Sequence, residues 1–252
     1  SESKGLKVPS AKGRRDLRDQ PLVTIDGADA RDFDDAVYAE SADHGGWRLI
    51  IAIADVSHYV RPDSALDLEA RKRGNSVYLP DRVVPMLPEA ISNDLCSLRP
   101  DEDRAAMIAE INIDKDGKRL SHQIKRGLIR SHARLTYEQV QAVFDGTMDE
   151  ADCKVSYGIL HALFGAWRAL NEDRKNREPL ALNLSERGVI MDDLGNAIAI
   201  SHRSQTESQR LIEDFMIAAN VAAADTLIAS RLPCVFRVHD TPDLKKAATL
   251  TK

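Results

Sequence analysis

The sequence predicts a mixed α/β protein of the α+β type, in which antiparallel β-hairpins pack with long helices. Two pairs of β-rich runs, 107–113 with 119–129 and 189–191 with 197–200, each flank a short polar turn. Two long segments, 154–177 and 206–230, carry apolar residues at three- and four-residue steps, which is the spacing of an amphipathic helix. The runs do not alternate strictly between strand and helix, so a doubly wound parallel sheet is not expected.

The amino-terminal third predicts a linker, three strands and a helix. Residues 1–20 are charged and show little periodicity, which is typical of a linker, and residues 21–252 are expected to form the folded unit. Three β-rich runs follow, at 22–25, 36–39 and 47–54. The last of these is almost continuously apolar, which predicts a buried central strand. Ser64 and Asp67 form a capping-box pattern, and Gly74 would end the helix that begins there.

The remaining elements follow from prolines, caps and apolar periodicity. Four prolines between 79 and 100 predict irregular, extended chain. Residues 137–144 and 154–177 are expected to be helical, and Thr206 with Gln209 caps a further helix that runs to about Ser230. The run 234–238 would be a final strand.

Composition bounds the class of protein. Hydrophobic residues make up 43% of the 252 residues and charged residues 30%, which is enough apolar surface for a packed core. The sequence contains no apolar run of about 18 residues, so no membrane span is expected. The three cysteines are widely separated and include no C-x-x-C pair, which argues against a zinc ribbon or a disulfide framework and favours a cytoplasmic location.

Charge is unevenly distributed along the chain. The formal net charge is −5, which by itself would not attract a polyanion. Residues 115–134, however, contain seven lysines and arginines against the single Asp116. Such a run can bind a nucleic acid locally, or it can be a solvated face, and charge alone favours the solvated face.

The segment 26–35 holds the most informative side chains. Five aspartates fall within these ten residues: Asp26, Asp29, Asp32, Asp34 and Asp35. Like charges repel, so this density is costly unless a cation or a turn structure compensates. Carboxylate oxygens are the ligands that Mg²⁺ and Mn²⁺ prefer, and no His or Cys is nearby to favour zinc. The spacing leaves open a metal site and a solvated acidic loop.

The same segment resembles the active-site signature of the RNase II/RNase R family, which are processive 3′→5′ exoribonucleases with an RNB catalytic domain. Further similar segments occur in the family's order, at 51–60, 76–80, 84–89, 92–98, 211–220 and 236–240. The similarity runs from about Asp16 to Asp240 and is nearer to the RNase R branch. It implies that the chain corresponds to the amino-terminal part of the RNB domain, because the family's later arginine motif is not found in this sequence.

The resemblance assigns roles to individual residues. It implies that Asp26, Asp32, Asp34 and Asp35 are the catalytic and metal-binding aspartates for Mg²⁺, with Mn²⁺ as a substitute, and it ties Asp34 most closely to catalysis. It also implies RNA contacts from Tyr78, which would stack on the 3′-terminal base, from Glu213 at a ribose 2′-hydroxyl, and from Arg99 and Arg104 along the RNA path. Without the resemblance, Tyr78 would be a strand-core residue, Glu213 an exposed helix carboxylate and the two arginines surface ion pairs.

The implied activity is Mg²⁺-dependent hydrolysis of single-stranded RNA from its 3′ end, with release of nucleoside 5′-monophosphates. One alternative is a catalytically incomplete RNB fragment that binds RNA or metal without hydrolysis. Another is a different metal-dependent phosphoryl enzyme that uses Asp32 and Asp34. The apolar stripe of the helix 206–230 also predicts self-association through a face that lacks a partner.

Overall fold

A computed structural model of the chain describes residues 5–43, 45–80, 82–155, 158–176, 186–192 and 195–236, together with 238, 240, 241 and 249. The strands are β1 Arg15–Leu17, β2 Val23–Asp26, β3 Asp35–Ser41, β4 Trp47–Ala54, β5 Val77–Tyr78, β6 Val83–Val84, β7 Asp103–Ile113, β8 Arg119–Arg130, β9 Ala133–Thr136, β10 Glu186–Met191 and β11 Ala197–Arg203. The helices are α1 Val56–Tyr59, α2 Ala65–Arg73, α3 Tyr137–Phe144, α4 Ile159–Lys175 and α5 Glu207–Ala229. A π-helical turn spans Ala90–Leu95 and a 3-10 turn spans Glu150–Cys153.

Seven of the strands form one mixed sheet in the order β1-β8-β7-β4-β3-β2-β9. The neighbouring pairs β8–β7, β7–β4, β4–β3 and β3–β2 are antiparallel, whereas β1 pairs with β8 and β9 with β2 in parallel. Strand β4 lies in the middle, as its apolar run predicts. The fold class and both predicted hairpins are confirmed, with β7–β8 in the large sheet and β10–β11 as a separate two-stranded sheet.

Helices cover both faces of the sheet, which explains why β4 is apolar along its whole length. Leu49 and Ile51 face a core closed by α3, α4 and α5, and the fully buried Phe215 of α5 lies in it. Ile50 faces the opposite core, which α1, α2 and the π-helical turn close. Burying side chains of this size contributes about 1.5–3 kcal/mol each to folding.

Helix ends follow the predicted caps, with one shift. Ser64 accepts from the backbone N–H of Asp67 at the start of α2, and Thr206 forms the predicted capping box of α5. The helix predicted over 154–177 begins only at Ile159, because the preceding Gly158 has a positive φ of 90°. The carboxylate of the buried Glu150 accepts the N–H groups of Gly158 and Leu160, and it therefore caps α4 from the preceding turn.

Three expectations about edges of the fold differ from the structure. Arg15–Leu17, expected in the linker 1–20, form β1 and pair with Gly127–Ile129 of β8. The strand predicted over 234–238 is wrong for its described residues, which are irregular, while Arg237 lies outside the described residues. Strand β9 was not predicted, since its four residues alternate between apolar and polar but are too few for that alternation to predict a strand. In the described part of the chain, no helix is long and apolar enough to cross a membrane.

Candidate active site

The acidic residues lie at one end of two neighbouring strands. Asp26 is the last residue of β2 and Asp35 the first residue of β3, and these strands are antiparallel neighbours. The loop 27–34 that joins them carries Asp32 and Asp34. A turn begins this loop, closed by the N–H of Ala30, which donates to the carbonyl of Gly27 at 3.1 Å. The strand pairing therefore brings together the ends of the segment that the sequence singled out.

The carboxylates are close enough to affect one another's protonation. Burial raises the pKa of Asp26 from 3.8 to about 6, with Arg134 opposing the rise and Asp34 and Asp32 adding to it. Burial also raises the pKa of Asp35 to about 7, and the charges of Asp26 and Asp34 contribute. The pKa of Asp34 is raised by partial burial and by Asp32. The site is thus a region of unbalanced negative charge.

The donor set suits a hard divalent cation, although the side chains do not form an assembled coordination shell. All four candidate ligands supply carboxylate oxygens, the type that Mg²⁺ and Mn²⁺ prefer. Oδ2 of Asp26 is buried without a hydrogen-bond partner, which is costly for a carboxylate unless a cation satisfies it. Among the residues that the structure describes, however, no three His, Cys, Asp or Glu side chains are gathered closely enough to hold a metal ion. Mutual repulsion opposes such gathering until a cation neutralises it.

Tyr78 stands at the edge of the acidic group. Its side chain is 68% exposed on β5, and its hydroxyl donates to Oδ2 of Asp32 at 3.3 Å. Partial burial raises the pKa of Tyr78, and the charges of Asp32 and Asp34 add to the rise. The alternative that Tyr78 is a strand-core residue is therefore wrong, because the ring presents its surface to solvent beside the aspartates.

Glu213 lies on α5 and is held at both carboxylate oxygens. The guanidinium of Arg174 donates to one oxygen at 3.3 Å, and the amide of Gln205 donates to the other at 2.8 Å. Arg174 also donates to the buried Asp214 at 2.6 Å. Glu213 is thus half-buried and oriented, rather than a freely solvated helix carboxylate.

Arg99 and Arg104 are held by the π-helical turn and by the residues that follow it. Arg99 donates to the carbonyl of Asn93 at 2.8 Å and pairs with Asp94 at 3.3 Å. Arg104 has a side chain only 5% exposed, and its Nε donates to the carbonyl of Ser97 at 2.8 Å. Both arginines therefore make hydrogen bonds or ion pairs within the protein. Arg104 has little exposed surface with which to contact a ligand.

Two residues near the aspartates were not singled out from the sequence. The parallel pairing of β9 with β2 places Thr136 opposite Asp26, and Tyr137 follows. Burial raises the pKa of Tyr137 to about 12, and Asp26 and Asp35 add to the rise. Arg134, two residues earlier in β9, contacts the loop 27–34 directly. Only the tertiary pairing links these residues to the acidic segment. In the sequence Arg134 stood out only as a member of the basic run 115–134, and Tyr137, which lies outside that run, carried no signal.

The basic run 115–134 is largely paired within the protein. The internal partners are Asp225 for Arg119, Asp55 and Ser57 for Arg126, Asp103 for Arg130, and the carbonyls of Gly27 and Ala28 for Arg134. These contacts use the charges to hold β8 and β9 to their neighbours. The four arginines of the run therefore have partners within the protein, and local binding of a polyanion by the run stays a prediction.

The chain is similar to known proteins over most of its length. The family profile described as RNB domain matches residues 14–252. The chain is 46% identical over 244 residues to ribonuclease R of Vibrio parahaemolyticus, covering 94% of this chain and 29% of that protein. It is 44% identical over 246 residues to ribonuclease R of Escherichia coli, covering 94% of this chain and 30% of that protein.

A solved structure has the same fold. Mycoplasma genitalium RNase R, in complex with ribose-methylated single-stranded RNA, superposes with a TM-score of 0.92 at 31% identity, over 98% of this chain and 39% of that one. The described chain thus spans about a third of the length of the curated relatives that it matches.

Proposed function

The chain belongs to the RNB-domain family, and from that membership we propose that it carries the hydrolytic site of a 3′→5′ exoribonuclease. The substrate would be single-stranded RNA, which would be degraded processively from its 3′ end. The product would be nucleoside 5′-monophosphates. The chain spans about a third of the length of these relatives, so their whole activity is proposed for it and not shown.

One observation carries the proposal: the adjoining ends of β2 and β3 and the loop between them hold four aspartates, close enough for their charges to affect one another. We expect Asp26, Asp32, Asp34 and Asp35 to hold Mg²⁺, with Mn²⁺ as a substitute. The buried Oδ2 of Asp26 supports this, because no hydrogen-bond donor of the protein satisfies that oxygen and a bound cation would. When bound, such an ion supplies Lewis-acid activation of water and neutralises phosphate charge.

The protein's own residues would orient the RNA end. The exposed ring of Tyr78 lies next to Asp32 and offers a face on which a terminal base can stack, whatever its identity. A carboxylate held at both oxygens, as Glu213 is, can accept a hydrogen bond from a ribose 2′-hydroxyl. Arg99 keeps a partly exposed guanidinium for the RNA path, whereas Arg104 would act through the segment that it holds.

Asp34→Asn tests the assignment. The substitution keeps the size of the side chain and removes its charge. We expect loss of mononucleotide release from 3′-labelled single-stranded RNA in Mg²⁺, while RNA binding in a filter assay stays within a few-fold of the parent. Asp29→Asn, in the same loop, is the matched control. Parent-like hydrolysis by Asp34→Asn overturns the proposal.

A second function, binding of RNA or metal without hydrolysis, is favoured by a different observation. The candidate ligands of the described residues do not form a ready coordination shell. Incubation of the chain with labelled RNA and Mg²⁺ separates the two functions, because a retained complex without mononucleotide product supports the second.

The cytoplasmic location expected from the cysteines stays a prediction.

A further inference from the structure

The loop 27–34 carries two of the four candidate ligands, and its shape depends on residues outside it. We propose that Arg134 is a positioning residue that clamps the backbone of this loop, with Ser97 as a second clamp, and that the two clamps preset the acidic group for a divalent cation. The inference deepens the proposed function and rests on it, since it concerns the same metal site.

Arg134 contacts the loop near its beginning and near its end. One guanidinium nitrogen, Nη2, donates to the carbonyl of Gly27 at 3.0 Å and to that of Ala28 at 2.8 Å. The guanidinium carbon lies 5.4 Å from the centroid of the Phe33 ring, within the range of a cation–π contact. A planar guanidinium can donate and stack at once, which the ammonium of a lysine cannot do.

The base of this clamp is rigid because Arg134 sits in a strand. Thr24 of β2 is its partner in the parallel pairing, two residues before Asp26. The same sheet therefore carries both the arginine and the first candidate ligand. A shift of Arg134 along β9 would require the β2–β9 hydrogen bonds to break.

Ser97 holds the middle of the loop from the other side. Its hydroxyl accepts from the N–H of Phe33 at 3.0 Å and donates to the carbonyl of Arg31 at 3.3 Å. Ser97 is fully buried, and the next N–H, that of Leu98, donates to the carbonyl of Phe33 at 2.8 Å. Both residues that flank Asp32 are thus bonded to one serine.

The buried Arg104 supports that second clamp. Its Nε donates to the carbonyls of Ser97 at 2.8 Å and Asp94 at 3.2 Å. These bonds fix the turn from which the Ser97 hydroxyl points at the loop. The position of Arg104 away from solvent is explained by this support.

The choice of acceptors distinguishes a clamp from an ion pair. Within the described residues, the hydrogen bonds of Arg134 go to main-chain carbonyls and not to the aspartate side chains. The carboxylates therefore stay available to a cation while the backbone that carries them is held. Ordering a loop costs conformational entropy, so a loop that is ordered in advance binds a cation more tightly.

Arg134→Lys in the 252-residue chain tests the clamp, because lysine keeps the positive charge and loses the planar guanidinium that lies over the Phe33 ring while its Nη2 donates to the carbonyls of Gly27 and Ala28. We expect amide hydrogen exchange in residues 27–34 to speed up at least about fivefold and the Mn²⁺ dissociation constant, measured by electron paramagnetic resonance, to rise about tenfold. Arg130→Lys is the matched control, since the Arg130 guanidinium pairs with Asp103 outside the loop. Circular dichroism checks that each variant is folded.

Ser97→Ala is a second, independent test, for which we also expect faster amide hydrogen exchange in residues 27–34 and a higher Mn²⁺ dissociation constant. Unchanged exchange and affinity in the folded variants overturn the clamp. Faster exchange with unchanged Mn²⁺ affinity overturns the positioning role. Asp26→Asn and Asp34→Asn are measured alongside: if they too leave Mn²⁺ affinity unchanged, it is the proposed metal function that fails, whereas loss of Mn²⁺ binding in them alone rejects only the clamp.

Discussion

The hydroxyl of Tyr78 lies 3.3 Å from Oδ2 of Asp32, although 46 residues separate the two in the chain. This contact fixes an exposed aromatic ring beside the acidic group. The small β5–β6 hairpin that carries the ring also exposes the apolar side chains of Val77, Val83 and Val84. An apolar, aromatic surface thus borders a site of dense negative charge.

Tyr78→Ala should weaken the binding of a 3′ RNA end. Base stacking on an aromatic ring is worth about 1–3 kcal/mol, which corresponds to a rise of about fivefold to more than a hundredfold in Kd. Fluorescence anisotropy with a short single-stranded RNA measures this. Tyr78→Phe keeps the ring and should stay near the parent value. An alanine variant that binds as tightly as the phenylalanine variant would exclude stacking at this residue.

Asp35→Asn should stabilise the metal-free chain at high pH. The pKa of Asp35 is raised from 3.8 to about 7 by burial, Asp26 and Asp34. Between these values the folded chain keeps a proton that the unfolded chain has lost, so the free energy of unfolding falls as pH rises. Asparagine is uncharged throughout, and we expect its Tm in EDTA to exceed the parent's by a few degrees at pH 8 and to match it near pH 4.

The control for this pH effect is Asp29→Asn, which changes an exposed carboxylate of the same loop. Its Tm difference from the parent should not depend on pH in this way. An Asp35→Asn curve parallel to the parent's from pH 4 to pH 8 would contradict the assignment.

Asp55→Asn should destabilise the fold by detaching the segment before β1. Asp55 is fully buried and pairs with Arg14 at 2.7 Å, and the hydroxyl of Ser57 donates to its other oxygen. Burial opposes ionisation of Asp55, but the hydrogen bonds from Arg14 and Ser57 outweigh it and lower the pKa. Breaking a buried pair costs about 3–5 kcal/mol, which urea denaturation would detect.

Asp63→Asn serves as the comparison for Asp55, because the Asp63 side chain is largely exposed and its ion pair with Arg71 should contribute little. Equal losses of stability in the two variants would show that the buried pair has no special weight. The depressed pKa of Asp55 also predicts that its contribution persists at neutral pH and is lost as pH falls through the folded-state value.

Self-association should follow from an exposed apolar stripe on and beyond α5. Ile217, Val221, Ile228 and Leu232 are 38–55% exposed, and the spacing puts the three helical ones on one face. We expect sedimentation velocity to show a concentration-dependent dimer that Val221→Glu reduces. Asn220→Glu changes a neighbouring exposed residue on another face and should leave it intact. A monomer at all concentrations tested would rule out the stripe as an interface.

Much of the fold was predictable because its signals are local. The apolar run of β4, the caps at Ser64 and Thr206 and the polar turns of the hairpins each act within a few residues. The density of aspartates over 26–35 was also visible in the sequence, whereas the choice of four of them and the role of Tyr78 came from the family resemblance. The exposure of the Tyr78 ring was known only from the structure.

The sequence by itself determined the fold class, the order of most elements and the identity of the acidic group. Tertiary structure alone decided the edges of the sheet and the surroundings of that group. Strand β1 has three residues and β9 four, too few to show a period, and each exists because a distant strand offers it hydrogen bonds. The same parallel pairing brings Arg134 within reach of a loop more than a hundred residues earlier. Local sequence patterns do not predict such long-range pairing, because the packing of the whole sheet selects the register of its strands.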